Sequence, residues 1–169
     1  MYKSCRRLQA IERQKEFGIT LISMMNQMDY VDITITSICK KMNISRNIFY
    51  RYFDTLEDVL YMVMDQVLME AFLMLEGCPK LEDFFSFWKN EKPFLDILEK
   101  SGKNQLLIER AYIVCFENRK FKNFSMRDME YAGIMSAFIT IILIWHQSGM
   151  NYTICEMTTL IKSMFVTRK

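Results

Sequence analysis

Arg46 and Asn47 stand side by side in the stretch Ile44-Ser45-Arg46-Asn47-Ile48-Phe49-Tyr50-Arg51-Tyr52-Phe53. An arginine guanidinium forks onto O6 and N7 of guanine, and an asparagine carboxamide makes the equivalent two-point pair with adenine. Base contact is the role expected of this pair, with phosphate contact the alternative for either side chain. Around them Thr34, Thr36, Ser45, Tyr50 and Tyr52 bring hydroxyls. Hydroxyls and the N-termini of helices hold phosphate oxygens without reading sequence. Tyr52 also has the makings of a half-buried packing residue. The chemistry common to this set is recognition of a nucleic acid.

Such groups are useful only on a scaffold that aims them, and the surrounding residues predict one. Thr34 caps a short helix, and Ile35, Ile38 and Met42 share one face of it by their spacing. Asn43 follows where the chain must turn, and asparagine tolerates the left-handed backbone that a helix end requires. Ser45 then caps a second short helix, with Ile48, Phe49 and Phe53 turned inward and Arg46, Asn47, Tyr50 and Tyr52 outward. This is a helix-turn-helix, whose second helix enters the major groove of DNA. A longer helix from about Ser4 to Met28 braces the pair through Phe17, Leu21, Met24, Met25 and Met28. Its basic start, Lys3, Arg6 and Arg7, reads two ways: as an arm along a phosphate strand or in the minor groove, or as a solvated end. The fourth helix begins at Thr55, where Thr55 and Asp58 make a capping-box-like pair; its apolar pattern runs from Val59 to Leu75, and Gly77, Cys78 and Pro79 end it.

This stretch resembles the TetR/AcrR family of bacterial transcriptional regulators. The family shows a threonine-led helix, an Ala-Gly-Val-Ser turn and a Tyr-x-x-Phe ending. Here the turn is Met42-Asn43-Ile44-Ser45 and the ending is Tyr50-Arg51-Tyr52-Phe53. The segment Asp54-Thr55-Leu56-Glu57-Asp58-Val59-Leu60 is similar to the family's opening of helix four, where Leu56 replaces a lysine that often reaches a phosphate. Asn43 replaces the usual glycine. The resemblance runs from Phe17 to Met64. It implies an all-α protein of about nine helices, with a helix-turn-helix head at 1–54 and a regulatory and dimerisation body at 55–169. It also implies a homodimer on a palindromic operator, and a small molecule bound among helices four to eight that releases the DNA.

Composition agrees with an all-helical class. The chain has 169 residues, 51% of them hydrophobic, with only five Gly and two Pro. Residues 1–54 carry nine Lys/Arg against five Asp/Glu, while the rest carries thirteen against fifteen, so a net +2 conceals a basic head. That asymmetry suits a phosphate backbone. Five cysteines without a Cys-x-x-Cys pair read as reduced thiols in a cytoplasmic protein. The apolar stretch from Ile134 to Trp145 is too short to span a bilayer, and no signal peptide is evident. No metal-ligand spacing, phosphate loop or nucleophile elbow is present, and His146 stands alone in an apolar helix. The residues therefore predict neither an enzyme nor a bound cofactor or metal.

Beyond Pro79 the pattern predicts helices at Leu81 to Asn90, from Pro93 to Ser101-Gly102, from Gln105 to about Lys120, from about Ser125 to Gln147, and from Tyr152 to Val166. Phe84, Phe87, Trp88, Phe94, Leu98, Tyr112, Phe116, Tyr131 and Trp145 could line an apolar cavity for a small apolar effector. Taken singly, each is more plainly a core residue. The last two helices are apolar on several sides, and Ile134, Phe138, Ile141, Trp145, Ile154, Met157, Ile161 and Phe165 form the face expected to meet a second subunit. A second reading keeps the fold and replaces the small molecule with a protein partner.

Overall fold

The computed structural model describes residues 2–3, 7–75, 80–117 and 125–165, the side chains at 116, 117 and 165 excepted. Among the described residues the secondary structure is entirely helical, with nine α-helices and one 3₁₀ turn. They are α1 Leu8–Met25, a 3₁₀ turn Tyr30–Asp32, α2 Ile35–Lys41, α3 Arg46–Phe49 and α4 Leu56–Leu73, then α5 Leu81–Asn90, α6 Lys92–Lys100, α7 Leu106–Glu117, α8 Met126–Gln147 and α9 Ile154–Phe165. The chain groups into two compact units. One comprises residues 1–67 and 97–103, the other 68–96 and 104–169. Helix α4 thus gives Leu56–Val67 to the first unit and Leu68–Leu73 to the second.

The first unit is built on an aromatic cluster. Phe17 of α1 meets Phe49 edge to face at 5.4 Å and Phe53 at 5.5 Å, and all three are fully buried. Edge-to-face pairing adds to the burial of three large rings, so α1 and the turn after α3 are fixed to each other. Leu21, Ile38, Val59, Leu60, Met64 and Leu98 complete this core. The expected helix four end at Gly77, Cys78 and Pro79 lies outside the described residues.

The second unit also centres on aromatics. Phe84 of α5 meets Phe138 of α8 at 5.2 Å, and Phe85 meets Trp145 at 5.7 Å, both edge to face. Helix α5 packs on α9, and α7 on α8. By length and composition α8 is apolar enough to cross a membrane, which the shorter stretch at Ile134 to Trp145 did not suggest. Its Met135, Phe138, Ile139, Ile142 and Trp145 are instead buried within the chain. His146, also buried, places Nε2 2.7 Å from Asp96 Oδ1. The Lys92 ammonium and then His146 hydrogen-bond to the Asp96 carboxyl and hold it below the ordinary aspartate range.

Candidate nucleic-acid interface

The helix-turn-helix is closed by local hydrogen bonds. The Thr34 hydroxyl accepts from the Ser37 amide at 3.0 Å, and the Ser37 hydroxyl accepts from the Thr34 amide at 2.9 Å. This reciprocal box starts α2 with serine where glutamate is more usual. At the other end Asn43 takes φ 54°, in the left-handed region. The Ile44 amide reaches back to the Cys39 carbonyl at 3.0 Å, and the Asn43 amide to Lys40 at 3.1 Å. These two bonds form a Schellman closure, which makes the turn before α3 sharp and defined.

Helix α3 is shorter than the sequence pattern suggested. Only Arg46–Phe49 is α-helical. Beyond it two tighter bonds follow, Arg51 N–H to Ile48 O at 3.2 Å and Tyr52 N–H to Phe49 O at 2.9 Å, and a last α-type bond, Phe53 N–H to Phe49 O at 3.1 Å, closes the segment. A single α-helical turn has little macrodipole, so the contribution of its N-terminus to anion binding is small. Ser45 occupies the N-cap position, but its side chain makes no capping hydrogen bond. What aims α3 is burial at its far end, where Phe49 and Phe53 are sunk against Phe17.

Thr34, Thr36, Ser45, Arg46 and Asn47 are all exposed, as is Tyr50, at 46%. Tyr52 is half-buried, its ring tilted 6.3 Å from that of Phe17. Lys40 and Arg51, which the sequence pattern did not single out, are exposed beside these groups. Lys41 is turned toward α1, its Nζ 3.2 Å from Ser23 Oγ. The end of the motif is anchored to α4 by a second box. Asp58 accepts from the amides of Thr55 at 2.9 Å and Asp54 at 3.1 Å, and the Thr55 hydroxyl accepts from the Asp58 amide at 3.1 Å. Burial raises the cost of charging Asp58, but hydrogen bonds, those from Thr55 and Asp54 among them, outweigh it and hold the carboxyl below its usual range. Lys103, following the left-handed Gly102, reaches Glu57 Oε1 at 2.7 Å and lies over the Tyr30 ring at 5.2 Å. Burial, then the Glu57 and Tyr61 charges, push the Tyr30 hydroxyl up to about 12.

The residues expected to line an effector cavity divide between the two units. Leu98 belongs to the core of the first. In the second, Phe84, Trp88, Phe94 and Trp145 are buried, Phe87 and Tyr131 are half-buried, and Tyr112 is 53% exposed. The Phe116 side chain lies outside the described residues. The rings are packed on one another: Phe84 and Phe87 both contact Trp88. Trp88 Nε1 is buried and has no hydrogen-bond partner among the described residues. Two open clefts, of about 510 and 450 Å³, lie elsewhere. Lys15, Gly18, Ile22 and Val63 are among those lining the first, and Tyr152, Glu156, Met157 and Leu160 line the second.

Of the face expected to meet a second subunit, Phe138, Trp145, Met157 and Ile161 are covered by their own chain, and Ile134, Ile141 and Ile154 are half-buried. Trp145 additionally donates Nε1–H to the Tyr152 carbonyl at 3.2 Å. The Phe165 side chain lies outside the described residues. The apolar groups that α8 and α9 leave open are others: Met126, Met129, Ile144, Leu160 and Met164, each at least 45% exposed.

No protein-family model matches the chain, and no curated protein is significantly similar to it. Among solved structures, the chain is similar over 98% of its length to that of the fatty acid degradation regulator FadR from Bacillus halodurans, of which 99% is covered. The two share 12% identity and superpose with a TM-score of 0.46.

Proposed function

We propose that this chain is a TetR-like, DNA-binding transcriptional regulator. In this reading it is cytoplasmic and acts as a homodimeric repressor on a palindromic operator in double-stranded DNA. The observation that carries the reading is the helix-turn-helix itself. A boxed start, a Schellman-closed turn and a buried Phe49–Phe53 anchor present Arg46 and Asn47 outward on one short helical turn. The functional division is drawn after residue 54, where reading groups give way to α4. Arg46 and Asn47 read base edges, while Thr34, Thr36, Ser45, Tyr50 and Tyr52 hold the backbone. The Thr34 oxygen is an acceptor in its capping box, and its proton can still be donated to a phosphate.

A single short reading element gives little affinity alone, and a two-fold dimer places two of them about 34–36 Å apart in successive major grooves. The exposed Ile144, Leu160 and Met164 supply apolar surface for such a dimer. Release by a small apolar effector follows if the effector favours a mis-spaced dimer. The ring-to-ring packing of Phe84 on Trp88 and Phe138, and of Phe85 on Trp145, favours a second reading, in which a protein partner rather than a small molecule exerts control.

The test is selection of a duplex from a random pool by the purified chain, followed by titration of Arg46→Ala on that duplex. The variant should bind about 1–3 kcal/mol more weakly and lose preference at one position in each half-site. Unchanged affinity and preference would remove α3 from the interface.

A further inference from the structure

The basic start of the chain was expected to serve as a free arm or a solvated end, and for Lys3 the geometry is different. Its backbone amide donates to the Tyr52 carbonyl at 3.0 Å, and its ammonium donates to the Tyr50 carbonyl at 2.6 Å and pairs with Asp54 at 3.0 Å. Both carbonyls lie in the turns just past α3, where acceptors lack intrahelical donors. A lysine at a helical C-terminus both satisfies such carbonyls and opposes their partial negative charge.

Two buried polar side chains hydrogen-bond to the same two residues. Gln14, 6% exposed, donates its amide to the Lys3 carbonyl at 2.8 Å. Asp65, 5% exposed, accepts from the Tyr2 hydroxyl at 2.8 Å. A buried amide or carboxylate that loses its partner bears a desolvation penalty, so α1 and α4 both hold this segment in place. The segment is therefore built into the head.

We propose that Tyr2 and Lys3 form a strap that locks the C-terminal end of the reading turn, and that Lys3 is a positioning residue for DNA recognition, not a phosphate contact. The assignment rests on the DNA-binding reading above. Lys3 acts through Tyr50 and Tyr52: it fixes the turn that carries them, and hence the angle at which Arg46 and Asn47 are offered.

The test uses the full chain and Lys3→Met, Lys3→Arg and Tyr2→Phe variants. Affinity is measured for the selected duplex and for an unrelated one between about 50 and 200 mM salt, with amide hydrogen exchange in the DNA-free protein. Lys3→Met should weaken binding to the selected duplex about tenfold, the worth of one charge-assisted hydrogen bond. Its binding to the unrelated duplex, which draws only on the backbone contacts of Tyr50 and Tyr52, should fall by clearly less, and its salt slope should match that of the wild type. Exchange at Arg51 to Phe53 should quicken, Lys3→Arg should restore most of both losses, and Tyr2→Phe should move both readouts the same way. A salt slope shallower by about 0.9 per subunit, with exchange unchanged, would make Lys3 a phosphate contact and overturn the proposal. Equal weakening on both duplexes, with a lower melting temperature and no rescue by arginine, would reduce Lys3 to a merely structural role and overturn it as well. A wild-type chain that selects no duplex would overturn the DNA-binding reading and the positioning role with it. The strap itself would then stand or fall on the exchange rates.

Discussion

Replacing Gly18 with alanine sets two effects of known size against each other. Gly18 lies inside α1, where glycine costs about 0.8–1.0 kcal/mol of helix propensity relative to alanine. Judged from α1 alone, the substitution should stabilise. A Cβ at this position, however, would stand 2.8 Å from Val63 Cγ2 and 3.1 Å from Met62 Cε on α4. Carbon atoms pack comfortably at about 3.5–4.0 Å, so roughly 0.8 Å must be found. The methionine methyl can swing aside. The valine cannot, because a β-branched side chain in a helix is confined to one χ1 rotamer. The strain must therefore move the helix backbones apart at their crossing. Overpacking of this kind costs about 1–3 kcal/mol, and the stiffness of Val63 places it in the upper part of that range. Subtracting the propensity gain leaves a net loss of about 1–2 kcal/mol. Urea denaturation of Gly18→Ala, Val63→Ala and the double variant measures each part. In the Val63→Ala background the clash is gone, and Gly18→Ala should become neutral or stabilising by up to about 1 kcal/mol. If Gly18→Ala stabilised the otherwise native chain, the close approach of α1 and α4 would not constrain the head and the reasoning would be wrong.

Two further outcomes follow from the same geometry. Asp58→Asn should cost about 1–2 kcal/mol by weakening the box that joins the reading turn to α4. Because the Asp58 carboxyl is held below its ordinary 3.8, its contribution is complete above that value and is lost as pH falls through the lower folded value. The stability difference between wild type and Asp58→Asn, followed by denaturation from neutral pH downward, should therefore shrink only below about pH 4; a constant difference would show that the charge is not what matters. In the second unit, Ile144→Glu with Leu160→Glu should leave the fold intact and yield monomers in light scattering, whereas a dimer that survives both would move the interface away from α8 and α9.

What the sequence disclosed and what it hid divide by the range of the interaction. Thr34, Asn43, and the Thr55–Asp58 pair were legible because capping and left-handed turns are decided within three or four residues. The inward set Phe49 and Phe53 was legible because helical spacing fixes which residues share a side. The length of α3 was not: Tyr50 to Phe53 keeps helical spacing in the sequence yet tightens into turns, drawn down by the contact of Phe49 and Phe53 with Phe17. The Lys3 strap was invisible for a similar reason. It joins positions 47 and 63 residues apart, and no local pattern announces such a contact. Helix α8 shows the limit most plainly. Because it is apolar on several sides, it carries no stripe that says which side is covered by its own chain. Trp145, read as an interface residue, is sunk against Phe85, while its neighbour Ile144 stays 60% exposed.

This division bears on how the proposed function should be probed. Phe49 supports the reading turn and the core of the head at once, so Phe49→Ala would cost about 3–5 kcal/mol of stability. Lost DNA binding in that variant would say only that the head had unfolded. Trp145→Ala has the same defect in the second unit, where the ring fills the core and donates to Tyr152. Arg46, Asn47 and Ile144 are exposed, and truncating them removes little packing. Surface substitutions away from special features usually stay within about 0.5 kcal/mol in stability. A large change in operator affinity or subunit association at these three positions can therefore be assigned to recognition itself, and Asn47→Ala should alter base preference at a position next to the one Arg46 reads.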